Sequence, residues 1–417
     1  MRTDSSSKWG PIPFFVGRQP IFDRSQKIWG YQLFHRATAD SVFASFEDGG
    51  EATLEIIRNI AMNPLLDPHG QTKNMITFTR ENVVQSAPFA MPPGKTVVKY
   101  LGSRAEPSIQ EQLRELRAAG YPLAWEDDGE DDVPDVSGLD ILVLDAMSVP
   151  ENRISDIINA AQAVSALVMA KRVETHAVFE QLKGHGVNLF QGFFFQKPET
   201  LHGPRLTSHH ALRFKLLAAL NEDPPNPDKL SDILEKDVAL SYRLLRYVNS
   251  PRFSPVTKIT SIRRALSFIG LKHVRHMLEV ILVKETTLPG KTNELPFSAA
   301  LRGKFLQSAA SGHTLLKDVT PESLFLLGLL SLLEALLDLP MPDILRNLPL
   351  DDDFKAGLCR EAGSPYLPWL KLADAFERSN WDEADACITE LGLDPLRVAS
   401  SYAEAVDWTQ TFFQNAY

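Results

Sequence analysis

The chain has 417 residues, 44% hydrophobic and 23% charged, the balance of a soluble globular protein long enough for two or three domains. Its formal net charge of −10 argues against a protein that coats nucleic acid or lies on an anionic membrane. The two cysteines, Cys359 and Cys387, form no C-x-x-C pair, so neither a disulfide framework nor a structural zinc motif is expected, and a reducing compartment fits. No apolar leader opens the chain, and no run of about 18 apolar residues follows. The longest apolar stretch, Leu324 to Leu339, is broken by Gly328, Ser331 and Glu334.

Residues 1–13 are polar and Pro-rich and read as a loose tail. Phe14 to Phe22 reads as a strand, Asp23 to Lys27 as a turn, and Ile28 to Phe34 as the returning strand of a hairpin. The spacing of Leu54, Ile57 and Ile60 predicts a helix from Gly50 to Ala61. Strand patterns follow at Asn74–Thr79, Thr96–Leu101, Pro122–Trp125 and Leu139–Leu144, with helical patterns at Ser108–Ala119 and Ile154–Gln162. The segment from Ala166 to Pro198 is the clearest unit. An apolar strand, Ala166–Ala170, opens at Lys171 and Arg172. A helix follows with Val178, Phe179 and Leu182 on one face, stopped by Gly184 and Gly186. A second strand, Asn188–Phe195, then runs into Lys197-Pro198. Repeated strand–helix–strand units predict an α/β barrel over residues 14–206. In such barrels the carboxyl ends of the strands carry the chemistry.

Past Leu206 no strand pattern is found. Helices are predicted at Ala211–Leu220, Leu230–Glu235, Ala239–Val248, Ile262–Phe268, Lys272–Val283 and Phe297–Ser311. Residues 207–417 therefore read as an all-helical domain with a C-terminal helical extension. Roughly 200 residues is an ordinary domain size, so this half is expected to fold alone.

The first half resembles an EAL domain, the barrel that hydrolyses cyclic di-GMP. The resemblance rests on VGRQPIFDR (Val16–Arg24), GYQLFHR (Gly30–Arg36), GYPLAWEDDG (Gly120–Gly129), DILVLD (Asp140–Asp145), AKRVET (Ala170–Thr175) and FQGFFFQKP (Phe190–Pro198). The second half resembles the HDOD domain, a helical relative of HD phosphohydrolases. It does so through ILEKDVALSYRLLRYVNS (Ile233–Ser250), ITSIRRALSFIGLKHVR (Ile259–Arg275) and FLLGLLSLLEALLDLPMPDIL (Phe325–Leu345). The order matches a bacterial family of EAL–HDOD signalling proteins.

The resemblance implies, for active EAL domains, two divalent cations held by carboxylates and an Asn, clamping a phosphodiester. Carried over residue by residue, the Glu of the name-giving motif is Gln32, the Asn of the next strand is Thr77, and the following Glu is Lys99. The paired acids remain as Glu126 and Asp127. The Lys position holds Val143, and the Glu implied as general base is Lys171. A second Glu survives as Glu174 and a late Gln as Gln191. A charged ammonium has no acceptor lone pair and cannot take a proton from water, so Lys99 and Lys171 cannot replace those carboxylates. They are expected to act as internal counter-ions for Glu126, Asp127, Asp145 or Glu174. No catalytic residue and no metal is therefore expected, with Mg²⁺ or Mn²⁺ as the alternative. Arg36 matches a phosphate-contacting Arg of the family, so metal-free binding of cyclic di-GMP stays open.

In the helical half, the adjacent His-Asp pair of HD phosphohydrolases falls at Ser331 and Leu332, neither of which binds metal. His273 and His276, with Lys272 and Arg275, read as a basic exposed turn. Asn249 and Ser250 read as turn formers before Pro251, and Leu324–Leu337 as core. The function expected is a non-catalytic adaptor or sensor in cyclic di-GMP-linked regulation, with the helical domain meeting other signalling proteins. The alternatives are a weak metal-dependent phosphodiesterase using Gln32, Thr77, Glu126, Asp127 and Glu174, and a purely structural barrel serving as a homodimer wall. Neither nucleic acid nor membrane is an expected partner.

Overall fold

The computed structural model describes residues 15–36, 72–102, 107–127, 138–198, 238–250, 259–288, 290–312, 319–346 and 350–416, with residues 231, 234, 253, 255 and 348. The tail, the helix read at Gly50–Ala61, the acidic run beyond Asp127, the helix read at Ala211–Leu220 and the boundary near Thr207 lie outside them.

Eight strands close into a barrel in chain order: β1 (Phe15–Asp23), β2 (Ile28–Arg36), β3 (Lys73–Phe78), β4 (Thr96–Tyr100), β5 (Leu123–Glu126), β6 (Ile141–Asp145), β7 (Leu167–Lys171) and β8 (Leu189–Gln191). Each was legible as an apolar run. The last is shorter than read, because at Gly192 the chain leaves the sheet and Phe194–Gln196 form a 3-10 turn. Gly192 adopts φ +151°, and a Cβ there would lie 2.1 Å from the Val173 carbonyl oxygen, so only glycine lets the loops after β7 and β8 touch.

β1 runs antiparallel to both β2 and β8, and the other pairs are parallel. The hairpin turn is held by the Asp23 carboxylate, which accepts from the backbone N–H groups of Ser25 and Lys27 at 2.8 and 2.9 Å. Ile21, Met75, Val97, Ala124, Ile141, Val143, Met169 and Leu189 fill the interior as one apolar cluster. Side chains alternate along a strand, so the next inward layer toward the mouth is Gln19, Gln32, Thr77, Lys99, Glu126, Asp145, Lys171 and Gln191.

The outer face carries α1 (Arg80–Val84), α2 (Pro107–Ala118), α3 (Glu151–Ala163) and α4 (His176–His185). Thr175 caps α4, Phe179 and Leu182 are its buried face, and Gly186 closes it in the left-handed conformation. The short β1–β2 turn has no room for a helix, so the outside of that hairpin must be covered from elsewhere.

The helical half supplies the cover. It comprises α5 (Val238–Val248), α6 (Ile262–Ile269), α7 (Leu271–Thr286), α8 (Glu294–Ala310), α9 (Pro321–Leu330), α10 (Leu333–Leu337), α11 (Met341–Leu345), α12 (Asp352–Leu358), α13 (Leu367–Arg378), α14 (Trp381–Leu391) and α15 (Pro395–Ala416). No strand occurs among its described residues. Helices α13 and α15 pack on β1. Arg18 is buried with its guanidinium between the Tyr31 and Phe297 rings, at 4.3 and 4.4 Å. Glu294 of α8 accepts from Arg18 at 3.4 Å and from the Tyr31 hydroxyl at 3.1 Å. Burial pushes the Glu294 carboxyl above its ordinary range against the pull of Arg18. A separated helical half would expose this surface to water.

Within the helical half, α8 and α9 meet backbone to backbone. A Cβ on Gly328 would come within 2.4 Å of the Gly303 nitrogen, and one on Gly303 within 2.6 Å of the Phe325 oxygen. Leu324–Leu330 are buried, as the apolar stripe predicts. His276 departs from the expected exposed turn. It is buried, stacked on Phe325 with centroids 4.2 Å apart and 3.1 Å from Gln307, while His273 is exposed. The two histidines lie i, i+3 on a helix whose core face is wide enough to take one of them. Asn249 does more than turn the chain. Its amide donates to the Leu245 and Ile259 carbonyls and accepts from the Ile259 N–H, all within 2.8 Å.

Candidate functional site: the barrel mouth

Period two along each strand brings most of the sequence-predicted positions together. Glu126, ending β5, lies between two lysines: Lys99 Nζ donates to its Oε2 at 2.6 Å, and Lys171 Nζ pairs with its Oε1. Lys171 also stands 3.5 Å from Asp145, which ends β6. Burial pushes the Glu126 carboxyl up, but Lys99 and Lys171 outweigh it and hold the carboxyl below its ordinary value. Asp145 is likewise held low against burial, chiefly by Arg172, whose Nε donates to it at 2.7 Å. Arg172 is a non-glycine residue at φ +57°, and its hydrogen bonds to Asp145 and to Ser148 Oγ hold it in that uncommon conformation.

The other two acids face elsewhere. Asp127 is buried against Arg153 of α3 at 3.1 Å. Glu174, in the loop after β7, faces Arg378 of α13 at 3.5 Å and Lys197 at 4.0 Å. The lysines thus balance Glu126 and Asp145, while Asp127 and Glu174 have cations of their own. Gln32 is buried beside Gln19 in the β1–β2 register, and Thr77 is half-buried opposite Lys99. Val143 lies in the apolar floor, one layer below the mouth, where a lysine could not be solvated. Gln191 donates to Gln19 Oε1 at 3.0 Å. Arg36 closes β2, and its side chain lies outside the described residues. Arg172 was marked in sequence by its place beside Lys171 at the end of a strand, whereas Gln19, Arg153 and Arg378 carry no signal in sequence that joins them to this site.

In the helical half, Ser331 caps α9, and its hydroxyl donates to the Gly328 carbonyl and accepts from Arg302 Nη1 at 3.1 Å. Leu332 is buried core. Arg302, also buried, donates to both Glu377 oxygens at 2.7 and 2.6 Å and to Gln196 of the barrel at 3.1 Å. The position that would hold a metal ligand in a phosphohydrolase therefore joins a polar bridge to the barrel. No group of three or more His, Cys, Asp or Glu among the described residues is arranged to hold a metal ion, and no described helix is long and apolar enough to cross a membrane.

Residues 206–337 match the HDOD domain family. The cyclic di-GMP phosphodiesterase CdgJ of Vibrio cholerae is 29% identical over 408 residues, covering 95% of this chain and 92% of that protein. The protein YuxH of Bacillus subtilis is 27% identical over 407 residues, 94% of this chain and 97% of its own. A solved EAL domain protein from Listeria monocytogenes superposes with a TM-score of 0.34 at 17% identity, over 44% of this chain and 87% of its own. The chain is thus related over nearly its whole length to a cyclic di-GMP phosphodiesterase. Its closed eight-stranded barrel precedes a helical half that matches the HDOD domain over residues 206–337.

Proposed function

We propose that this chain is a non-catalytic cytoplasmic signalling protein of cyclic di-GMP-linked regulation, in which internal cations have taken the place of the catalytic metals and the HDOD half meets other signalling proteins. The observation that carries this reading is Glu126 held between Lys99 and Lys171. Both of its oxygens are engaged by ammonium groups, which cannot ligate a cation and repel one. A protonated Lys171 cannot activate water as a general base. Asp127 and Glu174 face Arg153 and Arg378, so they do not converge with Glu126 on a common ion. The donor set suits neither Mg²⁺ nor Mn²⁺, which need several oxygen ligands around one point.

The mouth nevertheless suits an anion. Around the cluster at its centre, Lys99, Lys171 and Arg172 outnumber Glu126 and Asp145 among the described residues. Cations in a partly closed mouth attract phosphodiesters without a metal. The sensor form of the reading is therefore cyclic di-GMP bound and not hydrolysed. The likeness to CdgJ favours a second reading, weak metal-dependent hydrolysis. Incubation of the full chain with cyclic di-GMP and Mg²⁺ or Mn²⁺, beside a Glu126→Ala, Asp127→Ala control, separates the two. No turnover above the control is expected, and metal-dependent turnover above it would overturn the non-catalytic reading. Calorimetry with cyclic di-GMP tests the sensor form.

A further inference from the structure

Helix α13 ends on the barrel mouth. The Glu377 carbonyl accepts from Gln19 Nε2 at 3.1 Å, and Gln19 accepts from Gln191, so two residues of the inward layer lead to the helix end. Arg378 reaches Glu174 at 3.5 Å and lies over the Phe193 ring at 4.3 Å. Ser379, left-handed at φ +53°, closes the helix directly against Gly17, where a Cβ would come within 2.4 Å of its Oγ. The buried Arg302–Glu377 pair fixes α13 to its own unit and to Ser331 at the end of α9. The contacts that reach the mouth are different in kind. They are polar and partly exposed, and such pairs are weak enough for a competing charge to break.

We propose that the end of α13 is a latch that passes the state of the barrel mouth to the HDOD half. An anion entering the mouth draws Arg378 away from Glu174 and Gln191 away from Gln19, and the junction between α13 and α14 loosens. Arg302, which holds Glu377, Gln196 and Ser331 at once, carries the change toward α9. This inference rests on the reading that the mouth takes an anionic nucleotide.

Hydrogen exchange of residues 376–381 in the full chain tests it, with cyclic di-GMP as the probe and binding followed in parallel by calorimetry. Arg378→Met and Glu174→Gln should each speed exchange there by about threefold, and the double variant should be no faster than either alone. Saturating cyclic di-GMP should produce a similar rise in the parent and no further rise in Arg378→Met. Binding that leaves exchange at 376–381 unchanged overturns the latch and spares the nucleotide reading. Absence of binding overturns the nucleotide reading, and Gln191→Leu then decides the latch. Faster exchange at 376–381 in that variant supports it, and unchanged exchange overturns it. An Arg378→Met protein that exchanges like the parent overturns it outright.

Discussion

Replacing both Lys99 and Lys171 with methionine should expose what the clasp contributes. An exposed ion pair contributes about 0–1 kcal/mol, and breaking a buried one costs about 3–5 kcal/mol. The Lys99 side chain is 9% exposed and that of Glu126 28%, so this site lies between those limits. A loss of about 1–3 kcal/mol is expected at neutral pH, or about 3–10 °C in melting temperature for a unit of this size. The sign with pH follows from Glu126. In the parent its folded carboxyl is held below the unfolded value, about 4.3. Its stabilisation is therefore fully present above that value and disappears as pH falls through the lowered one. Without the lysines only burial remains, which raises the carboxyl, so in the variant Glu126 destabilises as pH rises through its unfolded value. The two proteins should differ most near neutrality and converge in acid. Lys171→Met alone should cost less than Lys99→Met, because Glu126 keeps Lys99 and Asp145 keeps Arg172. Thermal melts by circular dichroism across that range are the assay. A double variant that melts with the parent at every pH would show the lysines to be solvated rim residues and refute the clasp.

Further outcomes are expected. Lys99→Glu with Lys171→Glu should lower the melting temperature without metal and gain several degrees with Mn²⁺ or Mg²⁺, because new carboxylates would crowd Glu126 and Asp145; indifference to metal in the melts would count against it. Arg302→Met removes the cation that Glu377 and Asp374 share and should cost about 3–5 kcal/mol in denaturant unfolding. Gly328→Ala has no room at the α8–α9 contact and should cost about 1–3 kcal/mol, a loss that Ala replacement at the roomier Gly184 should not reproduce. A fragment beginning near residue 207 should be less cooperative in thermal unfolding than the full chain, because Glu294, Phe297 and Arg302 lose the barrel side of their seam.

Much of the barrel was legible because strand periodicity is local. Each apolar run declared itself, and counting by two from the floor residues Met75, Val97, Ala124, Ile141 and Met169 reaches Thr77, Lys99, Glu126, Val143 with Asp145, and Lys171 in turn. The turn at Asp23 and the stop at Gly186 were likewise readable from the residues themselves. What a lysine at a carboxylate position can and cannot do also needed no coordinates, since it depends only on the chemistry of an ammonium group.

Partner choice was a different matter. Nothing near Asp127 or Glu174 in sequence says that one faces Arg153 and the other an arginine more than 200 residues away, for these pairs form only when strands and helices from distant parts of the chain are stacked. The burial of His276 depends on which face of its helix meets Phe325, and that is fixed by a neighbouring helix rather than by local spacing. The seam follows the same logic. The sequence alone determined that a barrel with lysines at two positions of its mouth precedes a helical region. Only the tertiary structure decided that the helices cover the β1–β2 hairpin and end on the barrel mouth, because a short hairpin leaves an uncovered outer face and, among the described residues, helices from the other half of the chain fold against it.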